Sequence, residues 1–368
     1  MTPFLRKLLG MNWVLFASMV ALSIFGVIAV YSATYFKTDS YWHMQAVWIG
    51  VGMVVFLGAS LIDYRWVKWA ALPLYLISIV FLILTYTSLG KEVGGAKAWL
   101  NLKVITFQPS QLVVIAGILV VALFLSHFRK LHPMLKLALV GAMVVGPMAL
   151  ILKQPDFGMT MVWVPIITAM LFVGSIPKRY LIALIIIGAG IVLPLAVNFM
   201  LKPYQRDRIV SFMDPQIDPK GTSWAINQSL IAIGSGGLSG KGFKAANTQV
   251  EQGFLPGTTV HTDYIFSAIA EQWGFVGGMV LLGAFAILLL SMLFTAYHAS
   301  DEMGLLMTVG FAAQIFFNVY QNIGMTIALM PITGLPLPLV SYGGTFIVMI
   351  MFGLGLVNSV WVHRKMLP

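Results

Sequence analysis

Cysteine is absent from all 368 residues, and Asp, Glu, Lys and Arg together make up only 9% of the chain. The first absence removes any disulfide framework and any thiolate metal site. The second excludes a water-soluble globular enzyme, because a soluble domain is typically about a quarter charged. Segments of low hydrophobicity and high charge are also missing, so disordered tails and a nucleic-acid partner are excluded. Acid is scarcer than base, 12 against 22, which leaves a formal charge of +10. With 59% hydrophobic residues, that surplus fits basic loops facing anionic lipid headgroups.

What is present is apolar and segmented. A helix crosses the hydrocarbon core in roughly 20 apolar residues. Such runs lie at 12–36, 44–61, 69–87, 109–126, 137–152, 159–174, 180–200, 264–296, 304–330 and 337–362. The pattern predicts an all-α polytopic membrane protein of ten transmembrane helices, one domain over 1–368, with a long loop at 201–263 between helices 7 and 8. The first run follows Arg6 and Lys7 and is too long for a signal-peptide core, so it is expected to remain as an anchor. One set of loops and ends holds eleven Lys and Arg, and the opposite short loops hold five. The positive-inside rule then puts both termini in the cytoplasm and the long loop outside. Glu271 is the one charge expected inside a span. Ion-coupled transporters keep ionisable groups at mid-membrane, which disfavours that class here.

Three outward segments concentrate the unusual chemistry. The first, 90–111, carries a Gly94-Gly95 turn and Pro109 at a helix start; taken alone it is as consistent with an ordinary connection. The long loop opens with Tyr204-Gln205-Arg206-Asp207-Arg208, which on composition is a solvated charge run. It continues into a short amphipathic helix over 223–233, suited to the membrane surface, and the glycine-rich run 234–242. That run is not a P-loop, because Gly242 follows Lys241 where Ser or Thr is required. A flexible turn is its simplest use, and a backbone cradle for an anionic headgroup is the functional alternative. The loop ends in Val260-His261-Thr262-Asp263-Tyr264. Asp263 stands at a helix start, where a capping carboxylate is the commoner role. The functional alternative is a general base at the lip of a membrane cavity. His261 is more simply a polar neighbour than a ligand. The third segment, 336–345, pairs Pro336 and Pro338 with Gly343 and Gly344. A re-entrant turn that walls a cavity suits it.

The stretches FQPS, QPDFG, YQRDRI, IAIGSGGLSGKG, HTDYIF and PLPLVSYGGT, in this order, resemble the SEDS family of bacterial cell-wall proteins. The resemblance covers nearly the whole chain and is closest to the elongation members, with the division members the near alternative. It implies a peptidoglycan glycosyltransferase that polymerises lipid II, the undecaprenyl-pyrophosphate-linked disaccharide-pentapeptide. The work would be done at the outer face of the cytoplasmic (inner) membrane. The implied partners are a class B penicillin-binding protein and other membrane proteins of the elongation complex. Asp263 matches the family's essential aspartate, which favours catalysis, with capping as a compatible second role. Arg206 and Arg208 would sit near the pyrophosphate, and Gln108 and Asp156 match further polar positions. Glu271 matches a family glutamate.

The chain departs from the family where Glu and then Lys usually follow FQPS. It has Gln111 and Val114 there, Ala98 where many members have Arg, and Leu230 where elongation members often have Lys. Losing both partners of a buried pair avoids stranding one charge. Lys97 and Lys103 are expected to substitute as phosphate contacts. A divalent cation, Mg or Mn, suits the leaving group, although the sequence builds no metal cage for it. Two other functions remain open at this point. One is a lipid II flippase, disfavoured by the scarcity of charge in the spans. The other is a catalytically weak scaffold, supported by the neutral residues Gln111, Val114 and Leu230.

Overall fold

The structure is a computed structural model that describes residues 3–36, 41–93, 95–101, 106–174, 176–188, 190, 212 and 223–364. It is mostly helical, as a chain in lipid must be, because a helix satisfies its own backbone groups. Among the described residues, eight helices are long and apolar enough to cross a membrane. After the short α1 (Pro3–Leu9) come α2 (Trp13–Thr34), α3 (Tyr41–Leu61) and α4 (Val67–Leu84). Then follow α5 (Pro109–His127), α6 (Pro133–Lys153), α7 (Phe157–Val173) and α8 (Lys178–Ile187). The last four are α9 (Trp224–Gly236), α10 (Ile265–Tyr297), α11 (Glu302–Thr326) and α12 (Gly344–Val362). Every apolar run of the sequence meets a helix. The sixth run gives the shorter apolar helix α7, and most of the seventh lies outside the described residues.

Local chemistry fixes the helix starts. Asn12, Asp156 and Asp301 accept the amide hydrogens of Leu15, Met159 and Gly304 as caps, and Pro109 and Pro133 occupy first positions. The centre of the bundle is α5 and α11, whose apolar windows are 83% and 78% buried. By contrast α4 presents Trp69, Leu72, Leu76, Ile77 and Val80 outward, as a lipid-facing helix should. Close packing is set by small residues. A Cβ on Gly117 would meet the Trp163 ring at 2.3 Å, and one on Gly355 would meet the Phe56 carbonyl at 2.7 Å.

The structure corrects two expectations. First, the fold is not wholly helical. Strands β1 (Gly90–Val93), β2 (Ala96–Asn101) and β3 (Thr106–Phe107) form an antiparallel sheet in the order β1-β2-β3. Ala98 and Leu100 face inward while Lys97 and Asn101 are exposed, the period-2 alternation of a half-buried strand. Second, α10 is two helices across a break at Gly274 (φ 65°, ψ −164°). Its 33 residues would extend about 50 Å as one rod, well beyond a hydrocarbon core of about 30 Å. The piece before the break is buried on nearly all sides, whereas the piece after it exposes Phe275, Val276, Met279 and Val280. Glu271, about two turns into the eighth run, belongs to the buried piece before the break.

Candidate active site

Three sequence-distant segments meet at one end of the bundle. Asp263 is half-buried one residue outside the cap position of α10. Tyr264 occupies that cap and makes no side-chain capping bond. The Asp263 amide donates to the Thr259 carbonyl at 2.9 Å. Its carbonyl accepts from Asn322 Nδ2 at 3.0 Å, and the same amide group donates to the Leu335 carbonyl at 2.8 Å. Asn322, fully buried on α11, thus ties the Asp263 segment to the proline-rich turn.

That turn is fastened again two residues on. Ser341 Oγ donates to the Thr262 carbonyl at 2.5 Å and accepts from the Leu337 amide at 2.8 Å. The Tyr342 amide donates to the His261 carbonyl at 2.8 Å, and Gln45 Nε2 reaches the Ser341 carbonyl at 3.0 Å. Leu339 sits at φ 65°, a left-handed conformation that is strained for leucine. The dense bonding around it is what holds such a residue. The His261 ring stacks on Tyr41 at 4.2 Å and lies 5.4 Å from Tyr342, so His261 packs as an aromatic neighbour.

The second corner lies where α5 and α7 start. Gln108 Nε2 donates to Asp156 Oδ2 at 3.0 Å, and Gln111 Nε2 reaches Gln108 Oε1 and Met159 Sδ, each at 3.4 Å. Asp156 spends its other oxygen as the α7 cap. The two corners adjoin. A Cβ on Gly158 would lie 2.6 Å from the Thr333 carbonyl, and one on Gly334 would lie 3.5 Å from Asp263 Oδ2. The structure thus brings Asp263, Gln108 and Asp156 to one end, with the proline turn between them. Lys97 is exposed on β2, in the sheet leading to α5. Arg206, Arg208 and Lys103 lie outside the described residues.

The glycine-rich run is an ordered turn bonded to α10 rather than a loose one. The amides of Gly240, Lys241 and Gly242 donate to the carbonyls of Gly236, Glu271 and Gln272 at 2.8–3.0 Å. In return Phe275 and Val276, just past the helix break, donate to Gly237 and Leu238. The carbonyls of the run satisfy the amides that the break at Gly274 frees, and the N–H groups of Gly240, Lys241 and Gly242 are already used. A Cβ on Gly240 would meet the Gln272 carbonyl at 2.1 Å, which is why glycine is required there. The predicted amphipathic helix exists as α9, with Ile226, Ser229, Ala232 and Gly236 inward and Leu230 and Ile231 exposed.

Sequence reasoning missed Asn322 and Gln45, and it singled out the segment of Ser341 without giving that hydroxyl a role. Buried amides and a buried hydroxyl in apolar helices were the available signal, since such groups stay buried only when bonded.

The chain matches the FtsW/RodA/SpoVE cell cycle protein family over residues 12–366. It is 38% identical to the peptidoglycan glycosyltransferase MrdB of Escherichia coli (strain K12), over 87% of this chain and 85% of that one. A chain of a peptidoglycan synthase complex, solved to show how polymerization and crosslinking are coordinated, superposes with a TM-score of 0.81 at 30% identity, covering 96% of this chain and 98% of the other. The crystal structure of the rod shape determining protein RodA of Thermus thermophilus superposes with a TM-score of 0.71 at 29% identity, covering 97% and 98%. A multi-pass helical bundle with these motifs, matched from end to end, makes this chain a member of the FtsW/RodA/SpoVE family, the same SEDS family its motifs resemble.

Proposed function

We propose that the chain is a peptidoglycan glycosyltransferase of the elongation type, polymerising lipid II at the outer face of the bacterial cytoplasmic membrane. The observation that carries this is the placement of Asp263. Its backbone is clamped by Thr259 and Asn322, and its half-buried carboxylate stands beside Gly334 where the polar segments converge. A carboxylate so held can take the proton of an acceptor sugar hydroxyl. The hydroxyl oxygen then bonds to the donor's anomeric carbon, and the bond from that carbon to the pyrophosphate oxygen breaks. Holding the base still supports the rate by keeping acceptor and donor in a reactive geometry.

Arg206 and Arg208 are assigned to the departing pyrophosphate, with Lys97 and Lys103 as further phosphate contacts on the neighbouring segment. Gln108 and Asp156 line the second corner. A divalent cation, Mg or Mn, would suit the pyrophosphate. Among the described residues no group of three or more His, Cys, Asp or Glu side chains could hold one, and no step is routed through it. The single membrane domain is assigned ten spans from its apolar runs, and both termini in the cytoplasm with the 201–263 loop outside from the distribution of Lys and Arg. The partner assigned is a class B penicillin-binding protein, by similarity to the synthase complex.

Purified protein in detergent or vesicles, given labelled lipid II, tests the assignment. Glycan polymer is the expected product. Transbilayer movement without polymer would make it a flippase, and neither outcome would make it a scaffold.

A further inference from the structure

One buried acid has no part in that chemistry. Glu271 is fully buried on α10, eight residues after Asp263. Its Oε1 accepts from Lys241 Nζ at 2.7 Å, from the Gln249 amide at 2.7 Å and from Ser235 Oγ at 3.4 Å. Its Oε2 takes the Val250 amide at 3.4 Å. A carboxylate removed from water needs a cation and further donors, and Glu271 has both. The donors come from Ser235 in the last turn of α9 and from two points on the excursion of chain that follows it, Lys241 and Gln249–Val250.

From Val250 that excursion runs through buried Leu255 and Val260 to Asp263. Its last turn is closed by the Val260 amide on Pro256 and the Asp263 amide on Thr259, both at 2.9 Å. The approach to Asp263 is therefore fastened at both ends. Asn322, Ser341 and Tyr342 hold the far end, at Asp263, Thr262 and His261, and Glu271 holds the near end onto the helix that Asp263 precedes. Local turns, Gly253 on Val250 and Val260 on Pro256, link the two, so slack at Glu271 is passed toward Asp263.

We propose that Glu271 is a positioning residue for Asp263, setting the carboxylate's place by fastening Gln249 and Val250 to α10. The proposal rests on Asp263 being the base. It assigns Glu271 no contact with substrate. The glycine contacts fit this role: a Cβ on Gly236 would meet the Ala270 carbonyl at 2.1 Å, so the excursion seats on α10 without intervening side chains.

The test compares wild type, Glu271→Gln and Lys241→Met in two measurements on purified protein. The first is polymerisation rate against lipid II concentration. The second is amide hydrogen exchange over 247–264. Glu271→Gln should lower kcat on the order of tenfold to a hundredfold with KM nearly unchanged, the scale of a misplaced catalytic group. It should also speed exchange at 249–250 and at 259–263 together. Lys241→Met keeps the backbone donors but strands the buried carboxylate without its cation, so it should show the same pattern at least as strongly. Faster exchange confined to 249–250 with kcat unchanged would make Glu271 purely structural and overturn the proposal. So would a raised KM with kcat unchanged, or a fallen kcat without faster exchange at 259–263. A wild type that makes no polymer at all would instead refute the glycosyltransferase assignment, and the exchange data would still show whether Glu271 holds the segment.

Discussion

Two buried positions, one on α5 and one on α10, are both occupied by Glu in the family pattern, and this chain treats them oppositely. On α10 the acid is kept. Glu271 is fully buried and has a lysine and three further donors. On α5 the acid is gone, and so are the nearby bases. Gln111, Val114 and Ala98 stand where family members often carry Glu, Lys and Arg, and these three are 2%, 0% and 1% exposed. Measured against the pattern its motifs resemble, the α5 corner lacks the whole set of charges. The physics is the same at both sites: a buried charge is tolerable only with its partners. Gln111 still works as a polar link, through Gln108 to Asp156, at a site where no ion is required.

The sharpest way to break the comparison is to remove the acid that was kept. Glu271→Ala should lower stability by about 3 kcal/mol or more, because it strands Lys241 and two backbone amides. Thermal unfolding in detergent measures this, and a loss comparable to a surface substitution would show that the pair is not needed.

Restoring the acid that was lost should cost less. Gln111→Glu puts a carboxylate against Gln108 Oε1, which now accepts from Gln111, so a donor is lost and a charge is buried. A loss of about 1–3 kcal/mol is expected. Adding Val114→Lys should recover part of it, since residues three apart on a helix are neighbours. A double-mutant cycle in unfolding midpoint and polymer yield decides the matter. Additive effects would mean that the neutral pair is not coupled.

The smallest effect concerns charge in the loop. Replacing Arg206 and Arg208 with Gln should weaken lipid II binding and flatten its dependence on salt, because guanidinium–phosphate attraction is screened. An apparent affinity unchanged at low ionic strength would place the pyrophosphate elsewhere.

The ten apolar runs were legible because bilayer thickness forces long apolar stretches, and each run meets a helix. The gathering of polar segments was legible from the motifs Gln108, Asp156 and Asp263. The sheet was hidden because six residues such as Ala96–Asn101 alternate too briefly to stand out in an apolar chain. The break at Gly274 left one clue, a helix too long for the membrane. The use of Gly236 and Gly240 could not be read locally, because what they touch, Ala270 and Gln272, is about thirty residues away along the chain. Glu271 drew notice as a charge in an apolar run, but its partners belong to the fold.

The central claim is that Asp263 is the base of a glycan-polymerising site. Purified Asp263→Asn, beside wild type with labelled lipid II, tests it most directly. The amide keeps the side chain's size and removes the proton acceptor, and the clamps on this residue are made to its backbone. The account predicts an unchanged unfolding midpoint and no polymer. Polymer at near wild-type yield from the folded variant would contradict it.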